Sequence, residues 1–251
     1  MTTRSTPAPP LDVYLTPCAL GADALKGRAV VVVDVLRASS TIVTALAHGA
    51  RAVVPVATTG DAARLAGTID PDLRLLGGER GGLPIAGYDA GNSPLEYSPE
   101  RVRGRTVILT TTNGTAALVA ARVAARVAVG SFVNAAAATA FMRAARADGL
   151  PVVVLCAGTD GRVSMEDTLC AGLLLARVAT PAELGALSDS AQIALALYQG
   201  SRETLARTLF GAAHTQRLIR LGFADDVAYC ARLDAFGVLP VLQDGRVALA
   251  A

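Results

Sequence analysis

Short apolar runs alternate with helix-like stretches along the chain as far as about residue 165. The runs at 29–34, 51–56, 73–78, 106–112, 125–131 and 151–158 have the length and β-branched content of strands, whereas 40–49, 59–67, 114–124 and 134–149 have helical spacing. The run that ends at Asp34 contains four consecutive valines, which is typical of a strand buried on both faces. This alternation predicts βαβ units and a three-layer α/β/α fold with a largely parallel or mixed central sheet.

The C-terminal portion, after residue 165, is predicted to be mainly helical. Thr180, Pro181 and Glu183 have the pattern of a capping box at a helix start. The segment 238–250 consists of two apolar runs around an Asp-Gly turn, a strong hairpin signal. No long Gly-, Ser- or Pro-rich linker divides the chain, so we expect a flexible tail at residues 1–10 and a single α/β domain at 11–251.

Composition excludes several classes of protein. With 52% hydrophobic and 18% charged residues the chain can bury a core, and its net charge is only +2. No basic run is interleaved with aromatic residues, so we expect no nucleic-acid partner. The N-terminal residues lack the apolar core of a signal peptide, and no apolar run reaches the roughly 18 residues of a membrane span, so we expect no membrane partner.

The cysteines and histidines narrow the chemistry further. The four cysteines form no CxxC pair, which argues against a zinc site or a dense disulfide framework and favours a reducing cytoplasm. The chain has two histidines, and His48 near a predicted helix end is best interpreted as structural.

The oligomeric state is left open, and a homo-oligomer is compatible with the sequence.

Four loops that follow predicted strands are unusually polar. They span residues 34–41, 77–82 with its continuation to 94, 110–115 and 157–167. In open α/β sheets, ligands bind where loops leave the carboxyl ends of strands. If the strands are parallel, all four loops meet at one edge of the sheet, and we expect the active site there.

The side chains in these loops suit a phosphorylated small acid. Three arginines, Arg37, Arg80 and Arg162, offer planar forks for phosphate, carboxylate or sulfonate oxygens. Hydroxyls, amides and backbone N–H groups at helix starts and turns can bind anions; the candidates are Ser39, Ser40, Thr41, Asn92, Ser93, Thr112, Asn113 and Gly114. Carboxylates can hold a hard cation such as magnesium, which uses few protein ligands; the candidates are Asp34, Glu79, Asp160, Glu166 and Asp167.

Some of these residues have an equally good structural interpretation. Asp167 lies three residues after Ser164 and can complete a capping box, and Glu166 can complement a helix dipole. Asp160 and Gly161 have the composition of a turn.

Asp34 is the strongest functional candidate. Glu79 can simply pair with the neighbouring Arg80, but an aspartate directly after four valines, at the carboxyl end of a buried strand, is harder to explain by structure alone. A buried carboxylate without a partner is costly, so a functional reason for Asp34 is expected.

Cys156 and Arg162 form a competing motif. Their C-x5-R spacing on a loop after a strand is the spacing of cysteine-dependent phosphatases, in which a thiolate attacks phosphorus. Against this alternative, Leu155 stands where a histidine would precede the cysteine, and Asp160 inside the loop would repel phosphate. A cysteine at the end of a buried strand is usually inert.

The same loops resemble the family of 2-phosphosulfolactate phosphatases. The resemblance rests on DVLRASSTIVTAL, GERGG, GNSPLEY, TTTNGT, AGTDGRVSMEDTLCAG and DVAYCARLD with VLPV, in order from about residue 28 to residue 245. Mild departures occur at Ser39, Val163 and Met165, where the family has Thr, Phe and Leu. The resemblance implies a three-layer α/β/α domain. It also implies magnesium-dependent hydrolysis of the phosphate ester of (R)-sulfolactate, on the route to coenzyme M, and acceptance of other 2-hydroxy-acid phosphates.

The activity that the resemblance implies gives each candidate residue an expected role. Asp34 either holds magnesium or attacks phosphorus. The signature DxDx[TV] of aspartyl phosphatases is not met, because Leu36 stands where its second aspartate would be. We therefore favour Asp34 as a magnesium ligand, with a metal-bound water as the nucleophile. Arg37 and the backbone at Asn113 and Gly114 are expected to hold the phosphate. Arg80 or Arg162 is expected to bind the carboxylate or sulfonate of the substrate. Glu79, Asp160 or Glu166 is expected to complete the metal shell or to act as an acid.

A non-catalytic binder of a phosphorylated metabolite or nucleotide is the alternative from another class. Neither GxxxxGK[ST] nor GxGxxG occurs, which argues against a nucleotide.

Overall fold

The computed structural model describes residues 9–21 and 23–250. The flexible tail predicted at residues 1–10 lies outside the described residues except for Pro9 and Pro10. The strands are β1 Leu11–Tyr14, β2 Ala29–Val33, β3 Ala52–Pro55, β4 Arg74–Arg80, β5 Leu83–Pro84, β6 Thr106–Thr110, β7 Arg126–Gly130, β8 Val152–Cys156, β9 Pro240–Gln243 and β10 Arg246–Leu249. The α-helices are α1 Ala38–Ala47, α2 Thr59–Ala66, α3 Pro99–Val102, α4 Gly114–Ala121, α5 Ala135–Ala147, α6 Met165–Val178, α7 Asp189–Ser201, α8 Leu205–Gly211, α9 Ala213–Arg220 and α10 Ala224–Cys230.

The strands described form one mixed sheet in the order β1-β8-β2-β7-β9-β10-β3-β6-β4-β5. One parallel block contains β1, β8, β2 and β7, and a second contains β3, β6 and β4. The predicted C-terminal hairpin, β9–β10, lies between them and pairs antiparallel with β7 on one side and β3 on the other. Three antiparallel steps in succession reverse the strand direction, so the two blocks run in opposite senses.

Helices cover both faces of the sheet, as the alternating pattern predicted. On one face, β2 and β8 residues such as Val31 and Val154 pack with apolar residues of α5, α6 and α7, and the C-terminal helices extend this cluster. On the other face, Val30 and Val153 pack with α1 and α4. The chain is therefore a three-layer α/β/α structure. The four valines of β2 are all fully or almost fully buried because each contacts one of these two layers.

The portion after residue 165 is helical, as predicted, with α6 to α10 in succession. The capping interaction at Thr180 is present, since its N–H donates to Glu183 Oε2 at 2.8 Å, but it begins a 3-10 helix, Pro181–Ala186. Within the described residues, we find no helix with both the length and the apolar character required to cross a bilayer.

Candidate active site

Strand β2 delivers Asp34 to a tight turn that leads into α1. The Asp34 N–H donates to Ser39 Oγ at 2.9 Å, and Asp34 Oδ1 accepts the Ala38 N–H at 3.2 Å. The peptide bond between Leu36 and Arg37 is cis. Asp34 is 6% exposed, so its carboxyl group, just beyond the end of β2, is largely shielded from bulk water.

The environment of Asp34 disfavours the ionised form of its carboxyl group. Burial raises the pKa of its carboxyl group to about 7, and the hydrogen bond from Ala38 only partly opposes that rise. The charges of Glu79 and Glu166 raise the pKa further, while Arg37 lowers it. Neighbouring carboxylates thus outweigh the available cation, and a bound cation would stabilise the ionised form of Asp34.

Gly114, the first residue of α4, packs directly against this carboxyl group. A Cβ atom at Gly114 would lie 2.5 Å from Asp34 Oδ2 and 2.6 Å from the Ala38 Cβ. Only glycine allows this approach, which brings the start of α4 against the turn after β2. Gly114, whose backbone was predicted to bind phosphate, lines neither cavity, and the role that the structure shows for it is steric.

Glu79, at the end of β4, is buried and fixed by the neighbouring loops. Its Oε1 accepts the Thr112 N–H at 2.6 Å and its Oε2 accepts the Gly82 N–H at 2.7 Å. The alternative pairing of Glu79 with Arg80 is wrong. The exposed Arg80 instead donates to the Glu79 carbonyl at 2.7 Å and to Thr110 Oγ1 at 2.9 Å.

The four polar loops meet, although not at the edge of one parallel sheet. Asp167 joins the loops after β2 and β8, because its carboxylate accepts the Val35 N–H at 2.8 Å and the Gly158 N–H at 3.0 Å. The loop after β8 reaches the loop after β6 through the Asp160 N–H, which donates to Asn113 Oδ1 at 3.2 Å. Since the two parallel blocks run in opposite senses, this convergence depends on contacts across the blocks.

Two adjoining cavities open among these loops. The first, the acidic recess, has a volume of about 20 Å³ and is lined by Asp34, Glu79, Asn92, Thr112 and Asn113 among others. The second, the vestibule, has a volume of about 560 Å³ and is lined by Arg162, Val163, Met165 and Glu166 among others. Thr159, Asp160, His214 and Arg217 line both cavities and mark the junction between them.

Three buried polar atoms at these cavities have no hydrogen-bond partner among the described residues: Asn92 Oδ1, Glu166 Oε2 and His214 Nδ1. Buried polar groups in folded proteins are nearly always paired, so unpaired ones at a cavity indicate a place for a ligand. Glu166 lines the vestibule and not the recess, so the four carboxylates predicted as metal ligands do not share one cavity.

Arg37 has a different environment from the one expected. The residue is 2% exposed. Its guanidinium forms an ion pair with Asp226 Oδ2 at 2.6 Å and donates to the Gly82 carbonyl at 2.7 Å. It also stacks over the Phe223 ring, 4.1 Å from the centroid. Arg37 lines the recess, but its principal contacts tie the loop after β2 to the loop after β4 and to α10.

The hydroxyls at the start of α1 are committed to internal hydrogen bonds. Ser39 Oγ accepts from Asp34 N, Ser40 Oγ donates to the Val35 carbonyl at 2.8 Å, and Thr41 Oγ1 donates to the Asn92 carbonyl at 2.8 Å. Ser93 Oγ likewise donates to Asp226 Oδ1 at 2.6 Å. These side chains build the loops, and none of them lines the recess or the vestibule.

Asp160 forms part of a turn and also lines both cavities. With φ of 51° at Asp160 and 73° at Gly161, the residues form a two-residue hairpin turn closed by two Thr159–Arg162 hydrogen bonds of 2.9 Å. The Asp160 carboxylate lies 3.4 Å from Arg217 Nη1 at the junction of the cavities. Arg162, on the same hairpin, is exposed and faces the vestibule.

His214 and Arg217 are site residues that the sequence did not reveal. They lie three residues apart on α9, hence on one helix face, and both border the junction. His214 Nε2 lies 3.1 Å from the Leu36 carbonyl, and Arg217 Nη2 donates to the Gly81 carbonyl at 3.1 Å. Their partners are far away in the sequence, and a histidine and an arginine on an amphipathic helix carry no motif.

Cys156 is poorly suited to be a nucleophile. It is the last residue of β8, is 0% exposed and lies in the core cluster with α5 and α6. Burial, with a contribution from the Asp167 charge, raises the pKa of the Cys156 thiol well above its ordinary value. A neutral thiol that borders neither cavity cannot attack a bound phosphate, so the structure argues against the C-x5-R alternative.

The donor set fits magnesium better than a metal that needs several protein ligands. Within the part of the chain that the structure describes, no group of three or more His, Cys, Asp or Glu side chains is arranged to hold an ion. Magnesium is typically bound by one or two carboxylates, with water and substrate oxygens completing the shell. Asp34 and Glu79 are two such carboxylates at one recess.

Comparison with known proteins identifies the family. The family model described as 2-phosphosulpholactate phosphatase matches residues 14–245. The chain belongs to this family. A relative from Symbiobacterium thermophilum is 43% identical over 91% of this chain and 97% of its own length. Another from Carboxydothermus hydrogenoformans is 43% identical over 88% and 90%. A third, from Trichormus variabilis, is 38% identical over 94% and 97%. All three are named "Probable 2-phosphosulfolactate phosphatase".

Proposed function

We propose that this member of the 2-phosphosulfolactate phosphatase family is a magnesium-dependent phosphatase that converts (R)-2-phospho-3-sulfolactate to (R)-3-sulfolactate and phosphate. The observation that carries the proposal is the pairing of an acidic recess around Asp34 with an adjoining vestibule that contains Arg162 and Arg217. The recess suits a cation, and the vestibule suits the anionic groups of the substrate. The family membership supports the same reaction.

Asp34 and Glu79 would hold the magnesium ion. Once bound, magnesium would neutralise charge on the phosphoryl group and lower the pKa of a bound water. The chain supports this by holding Asp34 in a buried position where Glu79 and Glu166 disfavour its ionisation unless a cation is present. We favour Asp34 as a ligand over Asp34 as a nucleophile, because Leu36 occupies the position of the second aspartate in DxDx[TV].

The junction of the two cavities supplies cationic and hydrogen-bonding groups for the phosphoryl oxygens. Arg217 borders the junction, where it donates to the Gly81 carbonyl at 3.1 Å and forms a long, 3.4 Å ion pair with Asp160, so its guanidinium can exchange the long contact for one to an incoming phosphate. Asn113 also lines the recess at the start of α4. Arg37, whose guanidinium already binds Asp226 and Gly82, is assigned the role of holding the loops in register.

The vestibule would hold the carboxylate and the sulfonate. Arg162 is exposed on the hairpin turn and faces this space, whereas Arg80 borders neither cavity. We therefore assign the acid groups to Arg162 in preference to Arg80. The vestibule is wide for a three-carbon acid, so other 2-hydroxy-acid phosphates are proposed as further substrates.

A phosphate-release assay tests the proposal. The purified protein is expected to release phosphate from 2-phosphosulfolactate, and more slowly from 2-phospholactate, in the presence of magnesium. Excess EDTA is expected to abolish release, and magnesium titration in a calorimeter to show binding that Asp34→Asn and Glu79→Gln weaken. Binding of the substrate without turnover in magnesium would instead identify a non-catalytic binder.

The cellular setting is part of the same proposal. The four cysteines are free thiols, with Cys18 exposed and the others buried, which suits a reducing cytoplasm. The product would enter the route to coenzyme M that the family implies, or another route that consumes sulfolactate. A homo-oligomer is compatible with this function.

A further inference from the structure

His214 is held in one orientation by a hydrogen bond to the backbone. Its Nε2 lies 3.1 Å from the carbonyl oxygen of Leu36. A carbonyl can only accept, so Nε2 must be the protonated nitrogen of the pair. The other ring nitrogen, Nδ1, is buried and has no hydrogen-bond partner within residues 9–21 and 23–250. The ring therefore presents one fixed and unpaired nitrogen.

The position of this ring is as informative as its orientation. His214 lines both the acidic recess and the vestibule, so it lies where the two cavities join. Its anchor, Leu36, is two residues after Asp34 in the turn that follows β2. If the phosphoryl group binds where the recess opens into the junction and the acid groups bind in the vestibule, the ester oxygen between them lies beside His214.

We propose that His214 is the general acid that donates the Nδ1 proton to the ester oxygen of the substrate. This inference rests on the proposed phosphatase function. As the proton donor, His214 is in the imidazolium form, in which both ring nitrogens carry a proton. The Leu36 carbonyl then retains its bond to Nε2, so the proton on the unpaired Nδ1 is the one available to the leaving group.

Hydrolysis with His214 as the acid conserves protons. Water oxygen forms the new bond to phosphorus, the bond from phosphorus to the ester oxygen breaks, and its electron pair remains on the ester oxygen. The proton from Nδ1 moves to that oxygen and produces the free hydroxyl of the 2-hydroxy acid. A proton lost by the attacking water replaces the one that His214 has donated.

Protonation is needed because an alkoxide is a poor leaving group. Proton transfer from a positioned side chain typically contributes about 10²–10⁴-fold to a rate. The benefit depends on the basicity of the leaving oxygen, so a substrate with a less basic alkoxide needs the acid less. This dependence distinguishes a proton donor from a residue that only supports the fold or binds an anion.

The test compares 2-phospholactate with 2-phospho-3,3,3-trifluorolactate, which share their charged groups but differ in the basicity of the leaving alkoxide. In His214→Gln the amide nitrogen can still donate to Leu36, but no titratable nitrogen remains at the Nδ1 position. We expect kcat for 2-phospholactate to fall by about 10²–10³-fold and kcat for the fluorinated substrate to fall by less than about 10-fold.

The ratio of the two kcat values in each preparation is the decisive quantity, because it does not depend on the fraction of protein that has folded. His214→Asn places an amide nitrogen near the Nδ1 position and is expected to show the same change in ratio. His48→Gln, at the other histidine, is the control and should leave the ratio unchanged.

Three outcomes would overturn the inference. Equal losses on both substrates would show that His214 binds an anion or supports the fold, and no loss on either would remove it from catalysis. A wild-type protein inactive on 2-phosphosulfolactate, as well as on these two substrates, would instead refute the proposed function, and this inference with it. Only the first two outcomes leave the phosphatase assignment standing.

Discussion

Gly114 lies so close to Asp34 that a Cβ atom at Gly114 would be 2.5 Å from Asp34 Oδ2. This contact joins the start of α4 to the turn after β2, although the two residues belong to different parallel blocks of the sheet. It keeps one oxygen of the buried carboxyl group at a fixed position beside the recess. Asp34 can therefore keep this position only because residue 114, at the start of α4, has no side chain.

Gly114→Ala is expected to displace Asp34 and impair catalysis more than stability. The added methyl group must move either Asp34 or Ala38, and such overpacking typically costs about 1–3 kcal/mol of unfolding free energy. A misplaced magnesium ligand is expected to reduce kcat by about 10²-fold, as small displacements at catalytic centres do. Denaturant unfolding and phosphate release on the same preparation measure the two effects.

Gly200→Ala is the matched control. Gly200 lies in α7, and a Cβ there would meet nothing within 4 Å. Alanine in a helix is favoured over glycine by about 1 kcal/mol, so this variant should be as stable as the wild type or more so, with unchanged kcat. Full activity in Gly114→Ala would show that the position of Asp34 does not matter for the reaction.

The buried Asp34 makes the metal-free protein less stable as the pH rises. Its pKa is about 7 in the folded protein against 3.8 as the reference for the unfolded chain, so the folded state holds the proton more tightly. Folding is unimpeded by this group below about pH 4, and the cost grows until about pH 7. Asp34→Asn removes the ionisation, so at pH 8 in EDTA it should be more stable than the wild type by about 1–4 kcal/mol.

Denaturant unfolding of both proteins at pH 4 and pH 8 provides the measurement. The difference between them should shrink to less than about 1 kcal/mol at pH 4, since Asp34 is then protonated in the folded wild type and partly protonated in its unfolded chain. Magnesium added at pH 8 should stabilise the wild type more than Asp34→Asn, because the ion compensates the buried charge. A variant that is less stable than the wild type at pH 8 in EDTA would contradict the electrostatic interpretation.

The Arg37–Asp226 ion pair is expected to be structural and strongly destabilising when broken on one side. Both side chains are nearly inaccessible, 2% and 4% exposed, at an N···O distance of 2.6 Å. Arg37→Met leaves Asp226 as an uncompensated buried charge, which typically costs about 3–5 kcal/mol. Urea unfolding measures the loss, and Arg37→Met combined with Asp226→Leu should recover part of it.

Arg126→Met is the corresponding control. Arg126 and Asp148 form an ion pair of the same 2.6 Å length, but their side chains are 46% and 53% exposed. Exposed pairs contribute about 1 kcal/mol or less, so this variant should be nearly neutral. Similar losses at both arginines would mean that burial does not determine the contribution of the Arg37 pair.

The layers and most strands could be predicted because their signals are local. The valines of β2 are apolar on both faces, and Gly49 follows the end of α1 with a φ of 92°, as a helix stop requires. Strand β1 was not predicted, because it has only four residues, LDVY, next to a proline-rich segment. It becomes a strand through parallel pairing with β8, a contact that no local pattern reveals.

The site was predictable only as a set of loops. Asp34, Glu79 and Asp160 were identified from their positions after strands, but the partners that determine their roles are distant. Arg37 pairs with Asp226, 189 residues away, and His214 reaches Leu36 across 178 residues. Such pairings follow from the tertiary packing of α9 and α10 on the loops, which a single sequence does not encode in any short motif.

Thiol alkylation separates a metal-dependent mechanism from a cysteine nucleophile. Cys18 is exposed, whereas Cys156, Cys170 and Cys230 are each 0% exposed. Burial also raises the pKa of the Cys156 thiol well above its ordinary range, so little reactive thiolate forms. Iodoacetamide is therefore expected to label the native protein at Cys18 alone.

The Cys18→Ala protein gives the cleanest measurement, because a Cβ at Gly161 would lie 3.4 Å from Cys18 Sγ and an adduct there would crowd the hairpin turn. We expect no adduct by mass spectrometry on native Cys18→Ala, unchanged phosphate release after treatment, and three adducts after denaturation, one for each remaining cysteine. EDTA should abolish phosphate release by the same sample. Loss of activity on alkylation of this variant, together with resistance to EDTA, would instead assign the nucleophile to Cys156.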